Sequence, residues 1–274
     1  MAAEHSAATA ARQTDRPGTG TQRLELSSVS ISFGGIRALR EVSLTVEAGT
    51  ICGLIGPNGA GKTTLFNCVT GVYQPDSGQI RWDGVELTAL PRRQIIKHRV
   101  ARTFQNVALF PELDVIENVM LGAHHRDRAG VAAAALRLPR FRRQERDLRQ
   151  QAAEILGSLG LERFAAASPE DLTLGTAKRV ELARALMSEP KLLLLDEPAS
   201  GLVHSEVREL GEVIRTLRER YDLTVVLVEH HMELVMSLAD HVAVLASGQR
   251  LAYGPPAAVQ NDPAVIAAYL GSAE

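Results

Sequence analysis

The sequence predicts an α/β fold, in which a mainly parallel β-sheet is covered by helices and interrupted by a helical insertion. Apolar residues near the N-terminus alternate as they do in half-buried strands. Short continuous aliphatic runs in the second half are typical of strands buried on both faces. Between these runs, apolar residues recur at three- and four-residue steps, the period of an amphipathic helix. Strands that alternate with helices favour a parallel sheet with helices on both sides.

The first elements are predicted from this alternation. Leu24 to Phe33 and Val42 to Val46 each place apolar residues at mostly two-residue spacing, which indicates two half-buried strands. Thr50 to Ile55 is a third strand that enters a glycine-rich loop. Thr63 to Thr70, directly after this loop, is expected to be helical.

The second half contains three buried strands and a distinct insertion before them. Lys191 to Leu195, Leu223 to Val228 and Val242 to Ala246 are short apolar runs, and Val207 to Leu217 has the helical period. Residues 111 to about 175 are rich in Ala and Arg and show no convincing strand. We therefore predict a helical subdomain inserted into the α/β core.

Composition excludes some classes of protein. The chain is 45% hydrophobic and 23% charged, with a formal net charge of −2, so no global basic field favours nucleic acid. A membrane-spanning helix needs about 20 apolar residues, far more than any aliphatic run here. Residues 1–22 contain no apolar signal region and are predicted to be a disordered tail. Cys52 and Cys68 lie in apolar stretches and indicate reduced core thiols in a reducing cytosol.

The strongest motif is a phosphate loop that matches GxxxxGK[ST] between a predicted strand and a predicted helix. Its glycines allow backbone N–H groups to turn inward, and the helix N-terminus adds its dipole, so the loop is suited to anionic phosphates. Lys62 is expected to contact the β- and γ-phosphates, and the Thr63 hydroxyl to bind magnesium. The candidate nucleotide-binding residues here are Gly56, Pro57, Asn58, Gly59, Ala60, Gly61, Lys62, Thr63 and Thr64.

Two carboxylates follow the Leu192 to Leu195 run, at the C-terminal end of a predicted buried strand. Open α/β sheets bind ligands at this end of their strands. Asp196 suits a role as a magnesium ligand, and Glu197 suits a role as the general base that polarises the attacking water. Together with the phosphate loop, this pair predicts a nucleoside triphosphatase.

The segment Asp171 to Leu186, with the sequence DLTLGTAKRVELARAL, resembles the signature of ATP-binding-cassette (ABC) ATPases, LSGGQ followed by a helix that ends in ARAL. The resemblance covers residues 23–274 and implies a P-loop NTPase (RecA-like) core, an antiparallel β subdomain and the inserted α-helical subdomain. It also implies ATP and Mg²⁺ as cofactors, with two nucleotides sandwiched between two cassettes. The signature helix N-terminus then faces the γ-phosphate bound by the other cassette.

Further motifs of this family fall in order along the chain. Gln105 looks like the Q-loop glutamine, which senses magnesium and the γ-phosphate, and His230 looks like the switch histidine, which hydrogen-bonds the γ-phosphate. Phe33 occupies the place of an aromatic residue that stacks on adenine, although a core phenylalanine is the alternative. Thr173 and Gly175 keep the hydroxyl and the glycine of the signature. By resemblance, Gln105, His230 and Lys62 join Glu197 as catalytic residues, and Gln105 joins the magnesium ligands.

Several stretches are similar to the ATPases of branched-chain amino-acid importers, including residues 101–106, 229–236 and 262–271. This implies integral-membrane permease subunits, a second ABC ATPase subunit in a hetero- or homodimer, and indirectly an extracytoplasmic solute-binding protein, with no nucleic acid. The expected location is peripheral, at the cytoplasmic face of the inner (plasma) membrane. A non-transport ABC ATPase acting on ribosomes or DNA and a binding-only regulatory cassette are the alternatives.

The chain departs from the family pattern at three positions. Leu174 replaces a glycine and Thr176 replaces the glutamine of the signature, and Val203 stands where the D-loop usually has Asp or Asn. The leucine side chain would either crowd the phosphate or turn outward. Valine cannot form hydrogen bonds across the dimer, so we hypothesise that the composite site using these loops is slower than its partner site.

Three other features have competing interpretations. His230–His231 and His124–His125 suggest a metal site, but adjacent histidines on a helix point about 100° apart, unlike the i, i+4 pairs of zinc sites, which argues against one. Residues 126–149 contain eight arginines and three acids, which indicates a solvated helix face or, as the alternative, contact with lipid headgroups or RNA. Val107, Leu109 and Phe110 are candidates for contact with a membrane subunit or for subdomain core.

Overall fold

The computed structural model describes residues 23–103, 108–126 and 139–270. The strands are β1 (Leu24–Phe33), β2 (Ile36–Val46), β3 (Ile51–Ile55), β4 (Ser77–Trp82), β5 (Val85–Glu86), β6 (Val100–Arg102), β7 (Leu192–Asp196), β8 (Thr224–Val228), β9 (His241–Ala246) and β10 (Gln249–Gly254). The α-helices are α1 (Lys62–Val69), α2 (Arg92–Ile95), α3 (Val115–Met120), α4 (Pro139–Ser158), α5 (Leu174–Leu186), α6 (His204–Tyr221), α7 (Met232–Leu238), α8 (Pro256–Gln260) and α9 (Pro263–Leu270). Short 3₁₀ turns connect several of them.

The larger sheet has the strand order β10-β9-β3-β8-β7-β6, and all strands except the antiparallel edge strand β10 run parallel. The position of β7 inside this sheet explains why its sequence is a continuous apolar run. Leu192 and Leu194 pack into the core between the two sheets, whereas Leu193 and Leu195 pack into the core on the opposite face. Because side chains alternate along a strand, burial on both faces requires apolar residues at every position. The predicted parallel sheet is therefore confirmed.

The smaller sheet is antiparallel, with the order β2-β1-β4-β5. Strand β1 pairs on one side with β2, where Leu24 lies opposite Val46, and on the other side with β4, where Leu24 lies opposite Trp82. Trp82 is 2% exposed and fills the core between the two sheets. This sheet confirms the antiparallel β part of the predicted fold class, although β4 and β5 were not predicted individually.

Helices carry the regular secondary structure described between residues 108 and 175, apart from the undescribed residues 127–138. Helix α3 begins with a capping box, in which the Asp114 carboxylate accepts from the Glu117 N–H at 2.8 Å and the Glu117 carboxylate accepts from the Asp114 N–H at 3.1 Å. Buried Asn118 donates to the carbonyls of Phe110 and Leu113 and so holds the preceding loop on the helix. Helices α3 and α4 pack with α5 against one face of the larger sheet.

A third, smaller core joins the C-terminal helices to the larger sheet. Val259 of α8 and Val265 of α9 pack with Ile55, the last residue of β3. The C-terminal helices therefore support the strand from which the phosphate loop emerges. Within the described ranges, none of the helices combines the length and hydropathy needed to cross a membrane.

Candidate functional site

The phosphate loop connects β3 to α1, and glycine is structurally required at two of its positions. Gly56 has φ of 150° and Gly61 has φ of 103°, and both lie in close contact with neighbouring backbone. A Cβ on Gly56 would overlap the Leu245 carbonyl, and one on Gly61 would lie 2.6 Å from the Ala38 carbonyl oxygen. The loop is thus held against β2 and β9, which positions its N–H groups at the start of α1.

The remaining loop residues differ in accessibility. Asn58 and Gly59 are exposed at the tip of the loop, and Gly59 has φ of 77° with open space around it. Ala60 is buried at 2% exposure, whereas Thr63 is exposed and Thr64 is half-buried in the first turn of α1. The Thr63 hydroxyl is therefore accessible to a ligand above the loop.

Lys62 lies between the phosphate loop and the carboxylates at the end of β7. Its Nζ donates to the carbonyl oxygens of Gly56 at 2.6 Å and Pro57 at 3.0 Å. Burial lowers the pKa of the Lys62 ammonium from its usual value, and the nearby negative charges of Glu197 and Asp196 partly offset this effect. The structure therefore brings the loop lysine and both predicted carboxylates into one site.

Asp196 and Glu197 occupy the end of β7, where the sequence places them. Asp196 is 4% exposed, and its Oδ2 accepts from Nη2 of Arg102 at 2.6 Å. Glu197 has φ of 48°, a left-handed conformation that is unfavourable for a side chain with a Cβ. Its N–H donates to the Val228 carbonyl at 2.9 Å, which ties this turn to the end of β8.

Glu229 joins the two loops that carry the proposed catalytic groups. Its carboxylate accepts from the backbone N–H of Ala199 at 2.6 Å, of His230 at 3.1 Å and of His231 at 3.4 Å. The residue is 1% exposed, so these hydrogen bonds replace the lost solvation of its charge. This anchoring role of Glu229 was not predicted from the sequence, although a carboxylate directly after a buried apolar strand was a signal for it.

His230 and His231 are not in a helix. The 100° divergence of adjacent helical side chains, which the sequence suggested as a reason against a metal site, therefore does not apply to this pair. His230 and His231 lie in the loop before α7, and their ring centroids are 4.5 Å apart. Candidate ligand atoms of Glu229, His230 and His231 lie within 4.8 Å of one another. The Glu229 carboxylate, however, already accepts three backbone donors. The His230 side chain is 59% exposed and is thus available to a nucleotide.

Two aromatic side chains are exposed together next to the end of β1. Phe33 is 43% exposed, which excludes the alternative of a core phenylalanine. Its ring contacts that of Tyr73 edge-to-face, with the centroids 5.0 Å apart. The pair offers an apolar surface on which a planar base can stack. Tyr73 was missed because only Phe33 matched a motif.

The signature segment begins helix α5. Thr173 is its N-cap, with Oγ1 accepting from the Thr176 N–H at 3.3 Å, and the two hydroxyls are 3.0 Å apart. Leu174 turns outward, is 44% exposed and packs over Gly201. Gly175 is buried against α6, where a Cβ would lie 2.9 Å from a Glu206 carboxylate oxygen. The close approach at this glycine is therefore to the chain's own helix.

Two sequence predictions near the Q-loop have different outcomes. Gln105 and Val107 lie outside the described residues, so their roles stay predictions. Leu109 is half-buried and packs against the helical core, which favours the alternative of a core residue over a docking residue. Phe110 is 52% exposed, while its N–H donates to Asn118 Oδ1 at 2.8 Å. Of these residues, Phe110 is thus an exposed side chain on an anchored backbone.

Comparison with known proteins identifies similar chains along nearly the whole length. The family described as "ABC transporter" matches residues 39–200, and the family described as "Branched-chain amino acid ATP-binding cassette transporter" matches residues 249–274. The chain is 45% identical to the high-affinity branched-chain amino acid transport ATP-binding protein BraF of Pseudomonas aeruginosa, over 91% of this chain and 98% of BraF.

Solved structures show the same architecture. The ADP conformation of MJ1267, an ATP-binding cassette of an ABC transporter, matches with a TM-score of 0.80 at 28% identity, over 92% of this chain and 99% of MJ1267. A dimeric post-hydrolysis state of the cassette MJ0796, bound to ADP and Pi, matches with a TM-score of 0.71 at 26% identity, over 85% of this chain and 98% of MJ0796. These matches confirm the predicted cassette fold.

Proposed function

Since the chain belongs to the ABC transporter ATP-binding family, and is thus an ATPase, we propose that it drives an importer for branched-chain or related amino acids. In this proposal, ATP binding and hydrolysis are coupled to solute movement through separate membrane subunits. The observation that carries the ATPase part is the meeting of the phosphate-loop helix with the end of β7, where Arg102 links Asn67 to Asp196 and the charges of Asp196 and Glu197 act on Lys62. The name of BraF and the match at residues 249–274 support the class of solute.

The nucleotide is expected to lie along the phosphate loop, with its base on Phe33 and its phosphates at the N-terminus of α1. The Thr63 hydroxyl and the Asp196 carboxylate are hard oxygen donors of the kind that Mg²⁺ prefers, and we expect them to hold it together with Gln105. When bound there, the ion would neutralise negative charge on the phosphates. Lys62 would exchange its hydrogen bonds to the loop carbonyls for a phosphate oxygen.

Hydrolysis is assigned to residues that converge on the γ-phosphate. The Glu197 carboxylate accepts a hydrogen bond from the attacking water and aligns it with the phosphorus atom. Lys62, Gln105 and His230 stabilise the negative charge that develops on the transferred group. The Glu229 anchor supports this assignment because it fixes the loop of His230 relative to the loop after Glu197.

A second cassette is proposed to complete the site. The dimeric MJ0796 structure supports this pairing. Thr173 and the outward-facing Leu174 at the start of α5 are the signature residues open to a nucleotide on the partner, because Gly175 is covered by Glu206.

The proposed contact with a membrane subunit is a groove of about 850 Å³ between the larger sheet and the helical part. Its wall is basic, with Arg92, Arg93, Lys97 and Arg184 among the lining residues. Such a groove is suited to a helical segment that carries acidic side chains. Occupancy of it would place the chain peripherally, at the cytoplasmic face of the inner membrane, with a solute-binding protein acting on the other side.

Steady-state ATPase measurements on Glu197→Gln test the catalytic assignment. We expect turnover to fall at least 100-fold, since the water loses its base, while affinity for a fluorescent ATP analogue changes less than threefold. Lys62→Ala serves as the contrasting variant, for which both binding and turnover are lost. Equal turnover of wild type and Glu197→Gln would instead indicate a binding-only regulatory cassette.

Mass spectrometry of proteins that co-purify from gently solubilised membranes tests the transporter assignment. Two polytopic permeases together with a second cassette are the expected result. Ribosomal or DNA-processing proteins without a membrane protein would contradict the transporter proposal and leave the ATPase assignment intact.

A further inference from the structure

Arg102, the last residue of β6, binds the carboxylate that we assign to magnesium. Its Nη2 lies 2.6 Å from Oδ2 of Asp196, and the two side chains are only 9% and 5% exposed. Strand β6 is the neighbour of β7 in the larger sheet, with Arg102 in register with Leu194. The ion pair therefore spans two adjacent strands at the end where the nucleotide is expected.

The guanidinium is also fixed by the helix that follows the phosphate loop. Its Nη1 donates to Oδ1 of Asn67 at 2.6 Å, and its Cζ lies 5.6 Å from the ring centroid of Phe66. Both residues belong to α1. A planar guanidinium can satisfy a carboxylate and an amide at the same time, which a lysine ammonium cannot do in the same geometry. Arg102 thus joins the phosphate-loop helix to the carboxylate strand.

A buried carboxylate needs a counter-charge, because removal from water strongly disfavours an isolated anion. Lys62 also acts on Asp196 through its charge, but the hydrogen bonds of its Nζ go to the carbonyls of Gly56 and Pro57. Arg102 provides a positive charge in direct hydrogen-bond contact with Asp196. The arginine therefore places positive charge on the same carboxylate that we assign to the divalent ion.

We propose that Arg102 is a positioning residue for ATP hydrolysis, which holds Asp196 as its counterion until magnesium arrives with the nucleotide. The proposal rests on the assignment of Asp196 as a magnesium ligand. It implies that the stability lost on removal of Arg102 depends on whether Mg²⁺ is bound. The loss of Arg102 removes the counter-charge that is hydrogen-bonded directly to the buried Asp196 carboxylate, and Mg²⁺ bound at Asp196 would replace it.

Thermal unfolding of Arg102→Met, compared with wild type in three conditions, measures this coupling. The conditions are EDTA alone, EDTA with a non-hydrolysable ATP analogue, and Mg²⁺ with the same analogue. Loss of one partner of a buried ion pair should lower Tm by about 6 to 12 °C in EDTA. We expect more than half of this deficit to disappear with Mg²⁺ and analogue, and little of it to disappear with analogue in EDTA.

Arg184→Met is the matched control. Arg102 and Arg184 both line the groove of about 850 Å³ described above. Nη2 of Arg184 lies 3.2 Å from Oε1 of Glu181, whose side chain is 5% exposed. This ion pair contains no proposed magnesium ligand, so its Tm deficit should be the same with and without Mg²⁺. The second control is the double variant Arg102→Met, Asp196→Asn, which also removes the carboxylate charge. Its Tm should be higher than that of Arg102→Met in EDTA.

The possible outcomes distinguish failure of the Arg102 proposal from failure of the proposed nucleotide site. A deficit of Arg102→Met that is equal in all three conditions would show that the arginine only packs the structure, and would overturn the inference. A wild-type protein that Mg²⁺ and analogue do not stabilise would instead overturn the proposed nucleotide site. If Arg102→Met does not fold, the same unfolding measurements on Arg102→Lys test the proposal. It should show a smaller deficit with the same dependence on Mg²⁺, and a deficit independent of Mg²⁺ would contradict the inference.

Discussion

Val203 follows the loop after Glu197 and sits at the N-cap of α6 with its side chain 62% exposed. Its N–H donates to a Glu206 carboxylate oxygen at 3.1 Å, which is one half of a capping box. Valine has no side-chain oxygen that could accept from the first N–H groups of the helix, so the other half is missing. The departure seen in the sequence therefore affects both the helix start and the surface offered to a second cassette.

Val203→Asn should consequently change stability and turnover together. A capping amide should raise the free energy of unfolding by about 1 kcal/mol, measured by urea unfolding. If the composite site is slowed by valine, steady-state turnover of the assembled complex should also rise. Val203→Ser, which caps the helix with a shorter side chain, is the control for stability. Unchanged turnover of Val203→Asn would count against the slow-site hypothesis.

The two cysteines are free and buried, as the sequence predicts. Burial raises the pKa of Cys52 to about 12 and is also the main cause that raises the pKa of Cys68 to about 11, with a contribution from the charge of Asp76. Thiolate formation in the folded protein is therefore unfavourable at neutral pH. An unfolded thiol ionises near pH 8.5.

The expected pH dependence follows from this difference. Stabilisation by the two protonated thiols is fully present below pH of about 8.5 and is lost as pH rises towards 11. At pH 8, we expect a thiol-specific chromophoric reagent to label neither cysteine in the native protein and both after denaturation. Rapid labelling of one thiol under native conditions would mean that its surroundings open, which the packing does not predict.

The phosphate loop allows a prediction at the scale of an element, because its glycines serve different purposes. Gly56→Ala places a methyl group against the Leu245 carbonyl and should cost several kcal/mol of stability together with nucleotide binding. Gly59→Ala meets open space and only adds the cost of a left-handed conformation, about 1–2 kcal/mol. Chemical unfolding and analogue binding of both variants provide the comparison. Equal losses would contradict the assignment of Gly56 as a packing contact.

At the scale of the whole molecule, the groove is the surface that we propose for a membrane subunit, and the exposed Phe110 is a further candidate contact outside the groove. Phe110→Asp should leave basal ATPase activity within about twofold and stability nearly unchanged, since the side chain is exposed. It should abolish solute uptake in a reconstituted transporter. Transport that continues normally in this variant would remove Phe110 from the docking surface.

Leu109→Asp is the neighbouring variant with the opposite expectation. Its side chain packs against the helical core, so a carboxylate there should lower the free energy of unfolding by roughly 1–3 kcal/mol. Activity and transport should then fall together. The two adjacent substitutions thus separate loss of coupling from loss of folding.

The strands of the larger sheet differ in how well the sequence predicts them. Strands β7, β8 and β9 were predicted because burial on both faces leaves a short continuous apolar run. Strand β6 has three residues, too few for a period to show, and it was missed. Edge strand β10 has no buried residue and carries no apolar alternation. Periodicity therefore predicted the centre of the sheet better than its edges.

The sequence by itself determined the α/β class, the phosphate loop and the acidic strand end, since these depend on neighbouring residues along the chain. Only the tertiary structure decided which distant groups meet. Arg102 reaches Asp196 across 94 positions, and Glu229 binds the N–H of Ala199 across 30. Such contacts arise from strand order and from the need of buried charges for partners, which no local pattern encodes.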